Sequence, residues 1–589
     1  MPDTLNLRTH LTVKDVPEDV AEHNPATYLS VDLDATTRET LEAWVFDHWQ
    51  QIETDMQPVQ ARWARERNQF DGKMPGAAFL GIFRVNVPVT KRKVREIANR
   101  TKQAYLDSDP IWAIDTNDLE LQEIAQDIER GLDTAVDHHL ESEDDLSQDL
   151  FESVLHGTGL IEPGWDYLED VRREVVAYQG FDQTHGRAQA EATIQGLMDF
   201  EERFSNWNDD PQAKKLHQRI ARGESVRVEV SYVYPTRNQP TLRYVPCTQS
   251  RVYPNTDGYA GLRTTPCYGY VKEFTREELD RLLDQEFIDE EPYQRVVRDR
   301  EGTSADDQME SFEVLIATIR YQLPGDDRPV RYKLWQEKRT KAILRCRGYT
   351  WWYGEPDLIP KYINQESPGF FKPGLAEDVK DDHTVQNVLM NLFLNGAHLI
   401  HSMKFKVKEG SSAERHLLRG AWQPHIPMPY ETNPNEVDPM PMSTASLTPL
   451  VQGFELMRRN ADEGTGTSSL QSGRESPTDP TAPGNKTALL LQQVEPNMKE
   501  YIRAMQPAFR QEGRWILWLY YQGASLGWIA AMPGAEGVPL EQLPAIAEAL
   551  NPRALLFESD RPALSRTDLA VVELVTKAFP QRPDLVGQV

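Results

Sequence analysis

The strongest constraint on the fold is the order of segments between Gly374 and Gln522, where stretches of helical periodicity alternate with stretches rich in proline and glycine. The first stretch runs from Leu375 to His401 and carries apolar residues at the i, i+3, i+4, i+7 spacing that places side chains on one face of a helix. These residues are Val385, Val388, Leu389 and Leu392. We therefore predict a long helix whose apolar stripe packs against a partner.

A short basic strand follows this helix. From Met403 to Lys408, apolar residues alternate with lysines, so a half-buried strand would carry Lys404, Lys406 and Lys408 on one face. Six prolines then occur from Pro424 to Pro441, and each removes a backbone donor and fixes φ. We expect this stretch to project as a rigid excursion outside any central sheet.

Two further helical patterns flank a loop. The first runs from Leu447 to Arg459, and the segment Gly464 to Asn485 after it has too little apolar area to offset the entropy of ordering, which predicts a mobile loop. The second keeps a helical stripe across Pro496 and Pro507, each of which removes a hydrogen bond and bends the axis. Its apolar positions are Leu491, Val494, Met498, Tyr501, Ile502, Met505 and Phe509. The sequence thus predicts a long, kinked helix.

This succession resembles the portal proteins of tailed bacteriophages, whose subunits pass from a wing through a stem helix to a clip, return by a second stem helix and carry a tunnel loop. Upstream, Ala78 to Val94 is similar to the beginning of the portal wing, and Leu155 to Gly159 with Gly164 to Tyr167 is similar to its next strand turn. The implied fold class is α+β: a portal-like subunit with an α+β wing, a two-helix stem, a small β-containing clip, a long kinked helix and a short helical crown.

The resemblance divides the chain into successive segments. They are the N-terminal part of the wing (1–373), the first stem helix (374–402), the clip (403–442), the second stem helix (443–463), the tunnel loop (464–486), the long kinked wing helix (487–530) and a C-terminal wing and crown segment (531–589).

The resemblance also assigns roles to groups of residues. The stem-packing residues are the stripe Val385, Val388, Leu389 and Leu392. The channel-facing residues of the tunnel loop are Ser468, Ser469, Gln471, Arg474, Glu475 and Lys486. The docking residues of the clip are Lys404, Lys406, Lys408, Arg415, Arg419 and Trp422. Arg474 is the best candidate for a transient DNA contact, and the strand lysines either contact phosphates or pair with acidic neighbours.

A portal of this kind forms a ring, by resemblance of twelve subunits, at one capsid vertex and encloses the channel through which double-stranded DNA is packaged and ejected. Its expected partners are further copies of the chain, DNA in the channel, the large terminase, a head-to-tail adaptor protein and the major capsid or scaffold proteins. We expect it at the portal vertex of the virion, and in the host cytoplasm during assembly. We expect no catalytic residue, metal or cofactor.

Charge and cysteine content restrict the class of protein. The 589 residues include 92 acidic and 64 basic side chains, a net charge of −28, which disfavours tight binding to phosphates. An acidic wall suits a DNA conduit because it forms few contacts that stall a moving duplex, although acidity alone equally suits a large soluble protein or a saline host.

Three cysteines without CxxC spacing indicate neither disulfides nor zinc, and a reducing cytoplasm fits them.

Motifs for enzymatic chemistry or a membrane span are weak. Gly484-Asn485-Lys486-Thr487 lacks the glycine spacing of a phosphate-binding loop, so we predict no nucleotide site there. The apolar run from Trp515 to Met532 is interrupted by Gln522 and Gly523, so we expect no membrane span. The neighbouring His138 and His139 point apart on a helix, so we assign them no metal. Two classes stay open beside a portal: another structural virion or scaffold protein, and an acidic soluble enzyme.

The rest of the chain predicts a mixture of helices and strands. Helices are expected at Leu41–Asn68, Thr90–Leu106, Leu119–Phe151 and Ser565–Phe579, the last as a reduced crown. Strands are expected at Val226–Tyr234, Phe312–Leu323 and Val330–Trp335. Thr275 and Glu278 have the spacing of a capping box, in which hydroxyl and carboxylate satisfy amide donors at a helix start.

Overall fold

The computed structural model describes residues 28–73, 85–106, 111–114, 119–138, 142–178, 226–300, 311–401, 405–411, 437–439, 448–465, 484–529 and 542–552, with the short pieces 198, 214–215, 217–218, 414, 532–534 and 538–539. Helices and strands both occur there, so the predicted α+β class is confirmed. The predicted last helix, Ser565–Phe579, lies outside these residues.

Helices and strands are interspersed along the described part of the chain. In chain order, the helices are α1 (Ala35–Asp71), α2 (Val89–Leu106), α3 (Leu119–His138), α4 (Ser142–His156), α5 (Gly258–Gly261), α6 (Arg276–Asp284), α7 (Glu290–Arg300), α8 (Leu375–Asp378), α9 (Lys380–His401), α10 (Thr448–Thr465), α11 (Gly484–Ser525) and α12 (Leu543–Ala549). The strands are β1 (Trp112–Ile114), β2 (Thr158–Tyr178), β3 (Val226–Tyr244), β4 (Ser250–Arg251), β5 (Cys267–Thr275), β6 (Ser311–Tyr321), β7 (Val330–Glu337), β8 (Ile343–Gly348), β9 (Ile359–Tyr362), β10 (Phe405–Val407), β11 (Val437–Pro439) and β12 (Leu550–Pro552).

An antiparallel sheet of order β4-β5-β6-β7-β8 is packed against α1. Leu41, Val45 and Trp49 of α1 are buried against one face of the sheet, next to Leu315 and Leu334. Alternate residues of the strands point to the opposite face, as the pleat requires. The helix at Leu41–Asn68 and the strands at Phe312–Leu323 and Val330–Trp335 are thereby confirmed, each with bounds shifted by a few residues.

The long hairpin β2–β3 and the short strand β9 form a second antiparallel sheet. Strand β3 continues to Tyr244, beyond the predicted end at Tyr234, because pairing resumes after a register shift beside Leu168. The predicted turn before β2 is present: Gly157 has φ 82, and an added Cβ would lie 2.3 Å from the carbonyl of Pro373. Only glycine avoids both the strain and this clash.

Of two predicted helix boundaries, one is wrong and the other is confirmed. The stretch Leu119–Phe151 is not one helix but two, α3 and α4, with residues 139–141 undescribed between them. Asp144, exposed in the first turn of α4, favours a helix N-terminus there through the helix dipole. The predicted capping box is confirmed, because Thr275 Oγ1 accepts from Glu278 N at 3.3 Å and Glu278 Oε2 accepts from Thr275 N at 2.8 Å.

The long helix α11 passes through the largest core cluster, where Met505, Phe509 and Ile516 are fully buried. It is continuous through Pro496 and Pro507, as predicted, but runs from Gly484 to Ser525 and not from 487 to 530. A buried ion triad ties this helix to its neighbours. Lys361 of β9 lies 2.7 Å from an Asp149 carboxylate oxygen of α4 and 2.6 Å from one of Glu512 in α11.

Candidate subunit interface

The predicted first stem helix begins as the single turn α8 and continues, after an irregular residue at Val379, as α9. The prediction of one uninterrupted helix from Leu375 to His401 is therefore corrected. The inward face of α9 is polar. Its buried residues are His383, Gln386, Asn387 and Asn391.

The two asparagines fix α9 to the extended segment 85–88 that precedes α2. Asn387 Oδ1 accepts a hydrogen bond from Val87 N at 2.6 Å. Asn391 Oδ1 accepts from Val85 N at 2.7 Å, and its Nδ2 donates to Val85 O at 2.8 Å. These contacts satisfy three backbone groups of a segment that belongs to no helix or strand, and such groups are costly to leave unbonded where water does not reach them.

His383 extends this polar contact toward α1 and α2. Its Nδ1 lies 3.3 Å from Thr90 Oγ1, which also accepts a hydrogen bond at 2.7 Å from the side chain of Gln69. Burial lowers the pKa of His383, so the imidazole is neutral at pH 7. The network therefore needs no charge to hold α9 in place.

Helix α10 packs against α9 in the antiparallel sense. Gln386 Nε2 donates to Met457 O at 3.1 Å, and an added Cβ at Gly453 would lie 3.4 Å from Leu389 Cδ1. Residues later in α10 thus meet residues earlier in α9. The two predicted stem helices form a close pair within one chain.

The side of α9 opposite its polar anchor is apolar and exposed. Val385 and Leu392 of α9 are 39% and 46% exposed, and Val388 between them is half-buried. We call Val385, Val388 and Leu392 the apolar face. On α10, Val451 and Leu456 are 39% and 54% exposed. Of the four predicted stem-packing residues, only Leu389 is placed against α10 by the contacts described above, while the apolar face is directed to solvent in the single chain.

The predicted clip residues are only partly described. Strands β10 and β11 pair antiparallel, with Lys406 opposite Asp438, so the segment predicted to be a clip contains a small two-stranded sheet. The strand is shorter than the predicted Met403–Lys408, and Lys408 is exposed just after its end. The predicted docking residues outside the described part are Lys404, Arg415, Arg419 and Trp422.

The predicted tunnel loop lies mostly outside the described part, including Ser468, Ser469, Gln471, Arg474 and Glu475. Its predicted ends are helical: Gly464 and Thr465 belong to α10, and Gly484 to Lys486 begin α11. Starting a new helix is costly, but adding a residue to the end of an existing helix gains one hydrogen bond for the few dihedrals that it fixes. Both helices therefore extend into a segment whose residues are poor helix formers.

Sequence periodicity did not reveal the polar anchor of α9 or the exposed apolar residues of α10. A usable signal exists for the anchor, since His383, Asn387 and Asn391 recur every four residues opposite the apolar stripe. For α10 the apolar residues spread over too wide an arc to identify one outward position.

A comparison of the chain with models of known protein families finds no match, and a comparison with curated proteins finds no significant match. Within the described ranges, no helix has the length and apolar character needed to cross a bilayer. The same residues contain no group of three or more His, Cys, Asp and Glu side chains placed to hold a metal ion.

Proposed function

We propose that the chain is a portal protein: a ring-forming subunit, with twelve copies by resemblance, that encloses a channel for packaging and ejecting double-stranded DNA at one vertex of a phage capsid. Residues 374–463 would supply two stem helices and a clip between them. The apolar face of α9 would be buried against a neighbouring subunit.

The orientation of α9 is the observation that carries this proposal. An amphipathic helix on a monomeric protein normally turns its apolar side to the core and its polar side to water. Here the polar side is anchored by Asn387 and Asn391, and the apolar side is exposed. Covering side chains that are about half exposed is worth roughly 1 kcal/mol each. A second chain against this face would recover that free energy at every interface of a ring.

The order of elements supports a portal over other oligomers. An antiparallel helix pair, a two-stranded sheet between its members, an undescribed connection and a long helix follow one another in the portal order. In that arrangement the clip docks the large terminase and later the head-to-tail adaptor, while residues 464–486 line the constriction. The wing would meet capsid or scaffold proteins.

The acidic composition supports weak contact with the DNA. A net charge of −28 on each chain prevents the extensive release of counterions that strong phosphate binding produces. A duplex would then move past the wall without being held. Arg474 and the clip lysines would provide local, short-lived contacts.

Assembly tests the proposal directly. The full-length protein is expected to elute as a very large species in size-exclusion chromatography with light scattering, and to show an annulus with a central hole in negative stain. Val385→Asp combined with Leu392→Asp is expected to reduce the protein to monomers with unchanged secondary structure. A matched control is Val330→Asp, at a residue that is 41% exposed at the start of β7. Wild-type protein that is monomeric at high concentration would contradict the proposal.

DNA packaging separates a portal from another virion or scaffold protein. Deletion of residues 468–483 is expected to leave the ring assembled while packaging or retention of DNA is impaired. Trp422→Ala is expected to weaken docking of terminase more than it weakens the ring. An assembled ring that supports normal packaging after the deletion would remove the channel role from this loop.

A further inference from the structure

A cavity of about 230 Å³ lies between the five-stranded sheet and the hairpin β2–β3. Strands β5 to β8 form one wall, and the first residues of β2 with the last of β3 form another. Trp528, just after α11, closes one side. None of the residues that line the cavity belongs to α9 or α10.

The wall of this cavity is basic although the protein is acidic. Its charged residues are Arg243, Lys272, Lys333, Arg347, Glu162 and Asp166. Lys333 is neutralised, because it lies 2.6 Å from Glu162 and also contacts the buried Asp357. Asp166 pairs with Arg237 at 3.4 Å, and Arg243 lies 4.0 Å from Glu162. Within the described part of the chain, Lys272 and Arg347 form no ion pair, although Glu162 lies near both. An anion entering the cavity would meet this charge.

Arg347 is the most unusual member of the wall. Its side chain is only 9% exposed, and its Nε has no hydrogen-bond partner among the described residues. The guanidinium lies 5.2 Å from the ring centre of Trp335 and 5.9 Å from that of Trp351. Burial lowers the pKa of Arg347 to about 10, which reflects an incompletely solvated cation. Buried charges are normally paired, so this one is incomplete without an anion.

A second polar atom in the same wall also lacks a partner. Thr350 is 2% exposed, and its Oγ1 makes no hydrogen bond with any described residue. Its backbone is fixed, because Thr350 O accepts from Gln522 Nε2 at 2.7 Å. A guanidinium and a hydroxyl facing one cavity provide two kinds of donor for the oxygens of a carboxylate or phosphate.

The remaining wall is aromatic. The rings of Trp165 and Trp528 lie 5.0 Å apart, and Tyr28 meets Trp528 edge-on at 5.6 Å. Trp165 is held in place by a hydrogen bond from its Nε1 to Asn238 at 2.7 Å. Flat apolar surfaces of this kind favour stacking and edge contacts with another ring.

We propose that this cavity binds a small aromatic oxyanion, a flat ring bearing a carboxylate or phosphate group. The oxyanion accepts hydrogen bonds from Arg347 and Thr350, and the ring lies against the tryptophans. Arg243, which is 44% exposed and lies 4.0 Å from Glu162, and Lys272 add positive charge to the same wall and attract the ligand. Lys333 stays paired with its two carboxylates and orients the neighbouring wall.

Three probes test the assignment on the full-length protein: benzoate, phenyl phosphate and inorganic phosphate, measured by titration calorimetry and by quenching of tryptophan fluorescence. At least one aromatic probe is expected to bind ten-fold or more tightly than inorganic phosphate, and the tighter of the two identifies the preferred oxyanion. No binding of either aromatic probe at millimolar concentration would overturn the proposal. Equal affinity for inorganic phosphate would overturn it as well.

Variants locate the site. Arg347→Met keeps most of the side-chain volume and is expected to weaken aromatic binding at least ten-fold, while Thr350→Val, which is isosteric, weakens it several-fold. Arg339→Met is the matched control, because Arg339 lies in the turn before β8 and pairs with Asp299 at 2.8 Å. Unchanged binding in Thr350→Val and Arg347→Met would overturn the assignment. Arg347→Met is expected to melt no lower than wild type, since it removes an unpaired buried charge.

Discussion

At the scale of single residues, the triad of Lys361, Asp149 and Glu512 has one more carboxylate than it has cations. All three side chains are almost completely buried. Burial raises the pKa of Glu512 to about 7, with the charge of Asp149 adding to the shift and Lys361 opposing it. Burial also raises the pKa of Asp149. Protonation of Glu512 leaves a neutral pair of Lys361 with Asp149, which a low-dielectric core tolerates better than a net negative charge.

The pH dependence of folding follows from this shift. Between the ordinary glutamate pKa of 4.5 and about 7, the native protein holds a proton that the unfolded chain has released. The free energy of unfolding therefore falls as the pH rises through this window, by up to about 3 kcal/mol at roughly 1.4 kcal/mol per pKa unit. Glu512→Gln is expected to flatten that part of the profile, measured by urea unfolding at pH 5 and pH 8.

An exposed glutamate on the same helix, Glu500, provides the control for this experiment. Glu500→Gln is expected to leave the pH profile as in wild type, because an exposed carboxylate interacts similarly with water in both states. A profile that stays steep in Glu512→Gln would assign the proton to Asp149, the other carboxylate of the triad, whose pKa burial also raises.

At the scale of elements, the position of α9 depends on side chains that bond to backbone far away in sequence. Asn391 is fully buried, and its amide joins both backbone groups of Val85. Asn391→Leu removes the partner of both groups, and because Val85 is 40% exposed, water replaces part of the bonding, so the cost is about 1 to 2 kcal/mol. We expect lower stability in urea and faster hydrogen exchange at the Val85 amide. The control is Thr384→Ala, at an exposed position of the same helix, which should change neither the stability nor the exchange rate. Normal protection of the Val85 amide in Asn391→Leu would show that Asn391 does not anchor Val85.

The same helix shows what the sequence can and cannot predict. The period of Val385, Val388 and Leu392 predicts a helix with an apolar stripe, because side-chain spacing along a helix is local geometry. It does not identify what the stripe packs against. The acceptor for Val87 N is Asn387, 300 residues away along the chain, so the inward face is set by tertiary hydrogen bonds that periodicity does not encode. The cavity is hidden for a related reason: Arg347 lies beside Lys333 only through the register of β7 and β8.

At the scale of the whole molecule, two forces oppose each other if the proposed ring forms. Each chain carries a net charge of −28, so subunits repel one another, while the apolar faces gain free energy when covered. Added salt screens the repulsion, since the Debye length falls from about 10 Å at 0.1 M to about 3 Å at 1 M. The apolar contribution is not screened. We therefore expect the fraction of ring to rise with NaCl concentration, measured by light scattering at a fixed protein concentration.

The direction of this salt effect distinguishes the kind of contact that holds the subunits together. Interfaces made mainly of ion pairs would dissociate as salt is added, and that result would contradict an apolar interface centred on Val385 and Leu392. The double variant Val385→Asp with Leu392→Asp adds repulsion and removes apolar area, so it should form less ring than wild type at every salt concentration. Val330→Asp adds the same kind of charge at a site away from α9, and it should follow the wild-type curve with only a small shift, because one further charge changes little on a chain that already carries −28.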